Sequence, residues 1–287
     1  MKIPALFPPF SRLARGLALG LLLGGASLQA QLLVNTGFES NLTSLGAGVQ
    51  SSTLLLVNTG FESNLTGWTV VNEANGNGDW YFQTGTLSPM MTFTVPAPPE
   101  GSHVAMTDQP GPGSHMLYQD FVVPAGVTAA GLVFKYTIIN SAVAFVTPSN
   151  LTYTGSPNQQ ARVDIMTTTA NIFSVATADM LLNIFQTNPG DPLTGGTYVT
   201  STTNLTALFV AHPGETLRLR FAETDNQQHF SFGIDDVQLR AAVPEPATYG
   251  LLGALAVLTV TIRRRVTRTS SRTQQLGQKS SRPCAQG

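Results

Sequence analysis

Cysteine is almost absent: Cys284 is the only one in 287 residues. A single thiol excludes an intramolecular disulfide framework and any Cys-rich zinc site. Charge is scarce too, at 11% of residues, against roughly 25% in an average soluble domain. Histidine occurs only at His103, His115, His212 and His229, with no H-E-x-x-H and no close pair at zinc-ligand spacing. The chain has no G-x-S-x-G, no P-loop and no dinucleotide fingerprint. The middle of the chain carries no long 3.6-residue periodicity. These absences argue against a helical enzyme and leave no catalytic set, so the expectation is a non-enzymatic protein. What is plentiful is turn chemistry, with 27 Gly and 18 Pro, and this composition suits short strands joined by turns.

The formal net charge of −1 hides a segregation. Residues 31–246 hold five basic residues (Lys135, Arg162, Arg218, Arg220 and Arg240) and all sixteen acids, a formal charge of −11. Such a body repels phosphate backbones, which excludes nucleic acid as the expected partner. The remaining basic residues sit at the two ends, each beside an apolar run. Lys2, Arg12 and Arg15 precede the short apolar run Gly16 to Ala26, and Ser27-Leu28-Gln29-Ala30 ends in a small residue. That order reads as a secretory signal peptide over 1–30, cleaved after Ala30. The run is shorter than the roughly 20 apolar residues a bilayer-spanning helix needs.

At the other end, Pro244-Glu245-Pro246 precedes the apolar segment 247–262, followed by Arg263-Arg264-Arg265. As a helix this segment is about 24 Å long at 1.5 Å per residue, short against a hydrocarbon core of about 30 Å. It reads as a temporary or tilted transmembrane helix, with its arginines on the cytoplasmic side. The three elements in this order, over 243–265, resemble the PEP-CTERM sorting signal. The resemblance implies processing by an exosortase, a membrane Cys protease, after passage through the secretion machinery. It also implies export to the envelope, cell surface or extracellular matrix of a bacterium. The same segment ends some proteins labelled ice-binding, but the chain shows no regular Thr-x-Thr array for a flat ice face. Members of the family usually stop soon after the basic cluster, whereas this chain continues. Residues 266–287 are Ser/Arg/Gln-rich without apolar pattern, which predicts a disordered basic tail.

Residues 32–43 recur identically as 55–66. Two copies are too few for a solenoid, which needs at least about three, and a tandem duplication explains them. Only the second copy continues into Gly67-Trp68-Thr69-Val70, so the folded domain is placed at 55–242. Residues 31–54 become a duplicated extension or an alternative first strand. Within the domain, period-2 alternation predicts strands at Met91 to Val95, Leu132 to Ile138, Arg162 to Ile165 and Leu217 to Phe221. Turns fall at Asn75-Gly76-Asn77-Gly78, at Pro110-Gly111-Pro112-Gly113 and around Pro189-Gly190. Asn-Gly is a strong hairpin signal. Residues 178–185 fit a short helix or a strand equally. The expected fold is all-β, a single sandwich.

The opening run Val57-Asn58-Thr59-Gly60-Phe61-Glu62-Ser63 with Gly67-Trp68, and the closing run Phe232-Gly233-Ile234-Asp235-Asp236-Val237-Gln238-Leu239, resemble the two ends of galactose-binding-like jelly-roll domains and related carbohydrate-binding modules. The resemblance implies a jelly-roll β-sandwich and a polysaccharide partner, exopolysaccharide in this setting. In the closing run, Phe230, Phe232 and Ile234 share one parity while Val237 and Leu239 share the other. The switch predicts a β-bulge at Asp235-Asp236. Buried carboxylates there need compensation, which a hard cation such as Ca²⁺ supplies. By the resemblance, the structural calcium ligands are Glu62 and Asp235, with Asp236 the alternate. Trp80 and Tyr81 are the candidate sugar-stacking contacts, with core burial the competing role for members of the run Trp80-Tyr81-Phe82. Thr107 to Gln109 and Glu223 to Gln228 are polar segments able to hydrogen-bond a glycan, or to be plain solvated loops.

Overall fold

The structure is a computed structural model that describes residues 52–193 and 196–243. The signal peptide, the first repeat copy, Pro244-Glu245-Pro246, Arg263-Arg264-Arg265 and the tail lie outside the described residues. Twelve strands and one short helix follow in order. They are β1 (Ser52–Leu54), β2 (Glu62–Leu65), β3 (Thr69–Asn72), β4 (Asp79–Gln83), β5 (Val104–Asp108), β6 (Gly113–Val122), β7 (Ala129–Asn140), β8 (Gln159–Thr167), β9 (Met180–Gln186), β10 (Val199–Asn204), α1 (Thr206–Ala211), β11 (Thr216–Asp225) and β12 (Phe230–Ala242). Among the described residues no helix is long and apolar enough to cross a membrane.

The strands form two antiparallel sheets. One runs β10-β7-β12-β5-β4, with β1 also paired to β12, and the other runs β3-β6-β11-β8-β9. This is the two-layer sandwich the alternation predicted. Leu217, Leu219 and Phe221 of β11 bury completely or nearly so, as do Phe230, Phe232 and Ile234 of β12. Their rings meet across the layers: Phe221 lies 5.5 Å from Phe134 and 6.4 Å from Phe232. Burial of this kind contributes roughly 1.5–3 kcal/mol for each large apolar side chain.

Four expectations need correction. Ser52–Leu54 pairs with Arg240–Ala242, so the sheet begins three residues before the boundary drawn at 55. Met91 to Val95 is not a strand: Met91 and Phe93 are exposed, and only an isolated bridge joins Leu87 to Thr94. Its alternation is cut short by Pro96 and by the backbone turn at Thr92, whose φ is +54°. The Asn75–Gly78 turn does not close a hairpin. It carries the chain from β3 in one sheet to β4 in the other, as Pro110–Gly113 does from β5 to β6. Finally, residues 178–185 take their other open reading and contribute to β9 (Met180–Gln186), and the short helix forms at Thr206–Ala211, outside the one segment where the sequence allowed it. There Leu205 and Phe209, four residues apart, both bury on one side.

The outward face of the second sheet is not solvated either. Arg162, Asp164 and Arg220 alternate with core residues, yet all three are buried. The segment 168–179 folds over them, and Arg220 donates to the carbonyls of Ile172 and Ser174. Asp164 sits between the two guanidiniums. It accepts from Arg162 Nε and Nη2 at 2.9 Å, from Arg220 Nη2 at 2.6 Å and from Asn183 Nδ2 at 2.8 Å.

Candidate functional site

The two motifs that carry the jelly-roll resemblance meet in space. Asn58, at φ +48°, wraps the opening turn, donating from Nδ2 to the carbonyls of Asn64 and Thr66 and accepting from Ser63 N. Trp68 Nε1 donates to its carbonyl, and Phe61 and Trp68 pack 5.4 Å apart in the core. Val237 N then donates to Thr59 O, clipping the closing strand to the opening turn. The bulge is where the parity switch put it: the β12–β7 register shifts between Asp235 and Gln238, and Asp236 has φ +49°.

The acids of these motifs are compensated by protein donors. Asp235 is fully buried and accepts from Glu100 N at 3.2 Å and Asp236 N at 2.7 Å. Burial still pushes its carboxyl up to about 7. Glu62 accepts from Ser102 N and His103 N and lies 3.1 Å from His103 Nδ1, and these contacts lower its pKa. Asp236 accepts from Gln238 Nε2, with Lys135 Nζ 3.6 Å away. Glu62 and Asp235 therefore grip the same loop, Glu100 to His103, from two sides. Both Glu62 oxygens face N–H groups or an imidazole, and Glu62, Asp235 and Asp236 do not converge on one point among the described residues.

Trp80 takes the core role, one of the two open to its aromatic run. It is 3% exposed and packs edge-on against Phe232 at 5.8 Å. A ring in the core offers no face to a sugar. Tyr81 is half-buried, with its hydroxyl against Met90 Sδ. The exposed aromatic of the run is Phe82.

The open end of the sandwich gathers residues that the sequence leaves scattered. Here the two inter-sheet crossings, 75–78 and 110–113, lie together, joined by Asn77 N donating to Pro112 O at 2.8 Å. A cleft of about 310 Å³ opens beside them, lined by Met91, Phe93, Gln109, Pro110–Pro112 and Asp225–His229. Phe93 packs against His229, with ring centroids 4.2 Å apart and the planes tilted by 45°. Asp108 braces this wall: it accepts from Met90 N and Met91 N and lies 3.0 Å from His229 Nε2. Those hydrogen bonds overcome the effect of burial and hold its carboxyl down at about 2. The polar segments 107–109 and 223–228 are thus brought to one cleft. They are not plain solvated loops, since Asp108, Gln109, Glu223, Thr224 and Asp225 are all buried.

Behind the cleft lies a group that sequence spacing did not reveal. His115 on β6 stands opposite Glu223 on β11, and Asp225 follows two residues along the same face. One ligand atom from each falls within 4.8 Å of the others, and all three residues are buried. Burial pushes the Glu223 carboxyl well up, raises Asp225 to about 7 and depresses His115 to about 4. The missed signal was parity: Glu223 and Asp225 continue the inward face of Leu217, Leu219 and Phe221, and His115 shares its face with Leu117.

No family profile and no curated protein sequence matches the chain. Solved structures resemble it at low identity. The carbohydrate-binding module TmCBM61, in complex with beta-1,4-galactotriose, aligns over 65% of this chain and 97% of its own, at 12% identity and a TM-score of 0.38. A cleaved adhesin domain of Lys-gingipain from Porphyromonas gingivalis covers 69% and 100%, at 10% identity and a TM-score of 0.37. A Stig cyclase from Fischerella sp. TAU covers 68% and 100%, at 17% identity and a TM-score of 0.40. A sugar binder, an adhesin and a cyclase stand at the same distance from this chain. Function has to be argued from its own residues.

Proposed function

We propose that this protein is exported to the bacterial envelope or extracellular matrix, sorted there by an exosortase acting on the 243–265 signal, and binds polysaccharide without catalysis. The sorting part is supported by the order of Pro-Glu-Pro, apolar segment and arginines. The binding part is carried by one observation: the cleft walled by the Phe93–His229 ring pair and edged by the amides of Gln109, Asn226, Gln227 and Gln228. Sugar recognition needs this combination, an exposed ring for the apolar face and amides for the hydroxyls. Phe93 is 42% exposed, so its face is accessible where that of Trp80 is not.

The test is depletion of the purified full chain by a panel of insoluble polysaccharides and exopolysaccharides, with Phe93→Ala alongside. Saturable binding by the wild type, lost in the variant at unchanged melting temperature, is the expected result. Failure of the wild type to bind any polymer would refute the reading. A structural, adhesive role has one observation in its favour. Phe82, Leu87, Met90, Met91 and Phe93 are all exposed apolar residues beside the edge strand β4, and such edges invite protein contacts. Self-association weakened by Phe82→Ser, with no glycan binding, would favour that role.

A further inference from the structure

The buried trio behind the cleft is not explained by packing or by glycan binding. Among the described residues, both carboxylate oxygens of Glu223 and Nε2 of His115 are buried without a hydrogen-bond partner. Three orphaned polar atoms in one place carry a substantial desolvation cost, which something must offset.

The tautomer of His115 follows from its neighbours. Asn72 Nδ2 donates to Asp79 Oδ1 at 2.9 Å, and a carboxylate accepts. That contact fixes the orientation of the Asn72 amide, so the group 2.8 Å from His115 Nδ1 is its oxygen. An amide oxygen only accepts. The proton of the neutral imidazole is therefore on Nδ1, and Nε2, with the Asn77 carbonyl also beside it, is left to accept on the side of Glu223 and Asp225. A metal-bound histidine usually has its ring oriented in this way, by an acceptor hydrogen-bonded to its other nitrogen.

Glycine backbone packs closely against His115 Nε2. A Cβ on Gly113 would lie 2.4 Å from His115 Nε2 and 2.4 Å from Asn77 O. The φ of Gly113 is not in the left-handed region, so room, not backbone conformation, is what calls for glycine there. Gly78, on the adjoining crossing, would place a Cβ 3.0 Å from the same nitrogen. Asp225 is already oriented by Gly113 N, which donates to its Oδ1 at 3.1 Å.

We propose that His115, Glu223 and Asp225 bind a divalent first-row transition ion of the Zn²⁺ or Mn²⁺ kind. One imidazole nitrogen and two carboxylates suit such ions and balance a 2+ charge. The nitrogen ligand argues against Ca²⁺, which takes oxygen. The ion would pin β6 to β11 just behind the Gln109–Asp225 floor of the cleft.

The experiment uses the full chain, stripped with chelator, reloaded with Zn²⁺ or Mn²⁺ and desalted, with metal counted by mass spectrometry and affinity measured by titration calorimetry. One equivalent of one of these ions is expected. Glu223→Gln and Asp225→Asn keep shape and should fold, as circular dichroism will verify, and each should weaken binding at least about tenfold. Asn72→Ala, which touches no ion, should weaken it about 10- to 100-fold through the imidazole. No retained ion, retention unaffected by both carboxylate variants, or displacement by equimolar Ca²⁺ would each overturn the proposal. None of these readouts involves a sugar, so the result stands apart from the glycan reading.

Discussion

Asp164→Ala is the most informative stability perturbation. The carboxylate it removes is fully buried and accepts four hydrogen bonds, three of them from Arg162 and Arg220. Charge-assisted bonds contribute about 1.5–3 kcal/mol each, but the net value is smaller, because the ions were desolvated to form them. Removing one partner of a buried pair costs about 3–5 kcal/mol, since the other charge stays buried without compensation. Here two guanidiniums share one counter-ion, and Arg220 is fully enclosed by sheet and loop. The expected loss therefore lies at the upper end, about 4–5 kcal/mol. Urea unfolding of wild type and variant, with equal slopes, measures it. The loop 168–179 should also become protease-sensitive, because Arg220 ties it down through Ile172 O and Ser174 O. A loss below about 1 kcal/mol, the range of exposed pairs, would refute the claim that this network is buried.

Other expectations follow from the same structure. Asp108 is held at about 2 against an unperturbed 3.8, so it stabilises the fold above pH 4 and that contribution is lost as pH falls toward 2. Asp108→Asn should remove about 2 kcal/mol at pH 7 and flatten the acid limb of a stability-versus-pH series. Trp80→Ala should cost about 3–5 kcal/mol, the price of a large core cavity, while Phe93→Ala leaves the melting temperature unchanged in the same thermal scan. Gly113→Ala should cost about 1–3 kcal/mol by overpacking against Asn77 O and His115 Nε2, read from chemical denaturation.

Strand alternation in the sequence predicts β7, β8 and β11, and a single parity switch locates the bulge at Asp235-Asp236. These are local signals, and burial on one face enforces them. Met91 to Val95 shows the limit of that logic, because alternation without a partner strand makes a loop. The Asn75–Gly78 crossing looked like a hairpin turn because turn residues specify a reversal, not which sheet the next strand joins. The role of Trp80 was open for a similar reason: which face of a run is inward depends on the sheet it joins. The trio at the open end was hidden by sequence separation, 108 residues between His115 and Glu223, which only the β6–β11 pairing closes.

The two ends of the sandwich solve the same electrostatic problem differently, and this sets them apart. At the bulge, Asp235 is buried but receives backbone N–H groups, and Glu62 braces the same loop. There the acids hold the loop from Glu100 to His103 through backbone N–H groups. At the open end, both Glu223 oxygens are buried without a hydrogen-bond partner among the described residues. Satisfying these atoms with nearby amides would have been as available to this fold as it was at the bulge. The contrast between an acid met by N–H groups and one left without a partner is what the proposed metal site at the open end rests on. The cleft with its exposed ring lies at that same end, sharing Asp225 with the trio. Any change that perturbs the trio should therefore be felt at the cleft floor, whereas changes at Glu62 should not.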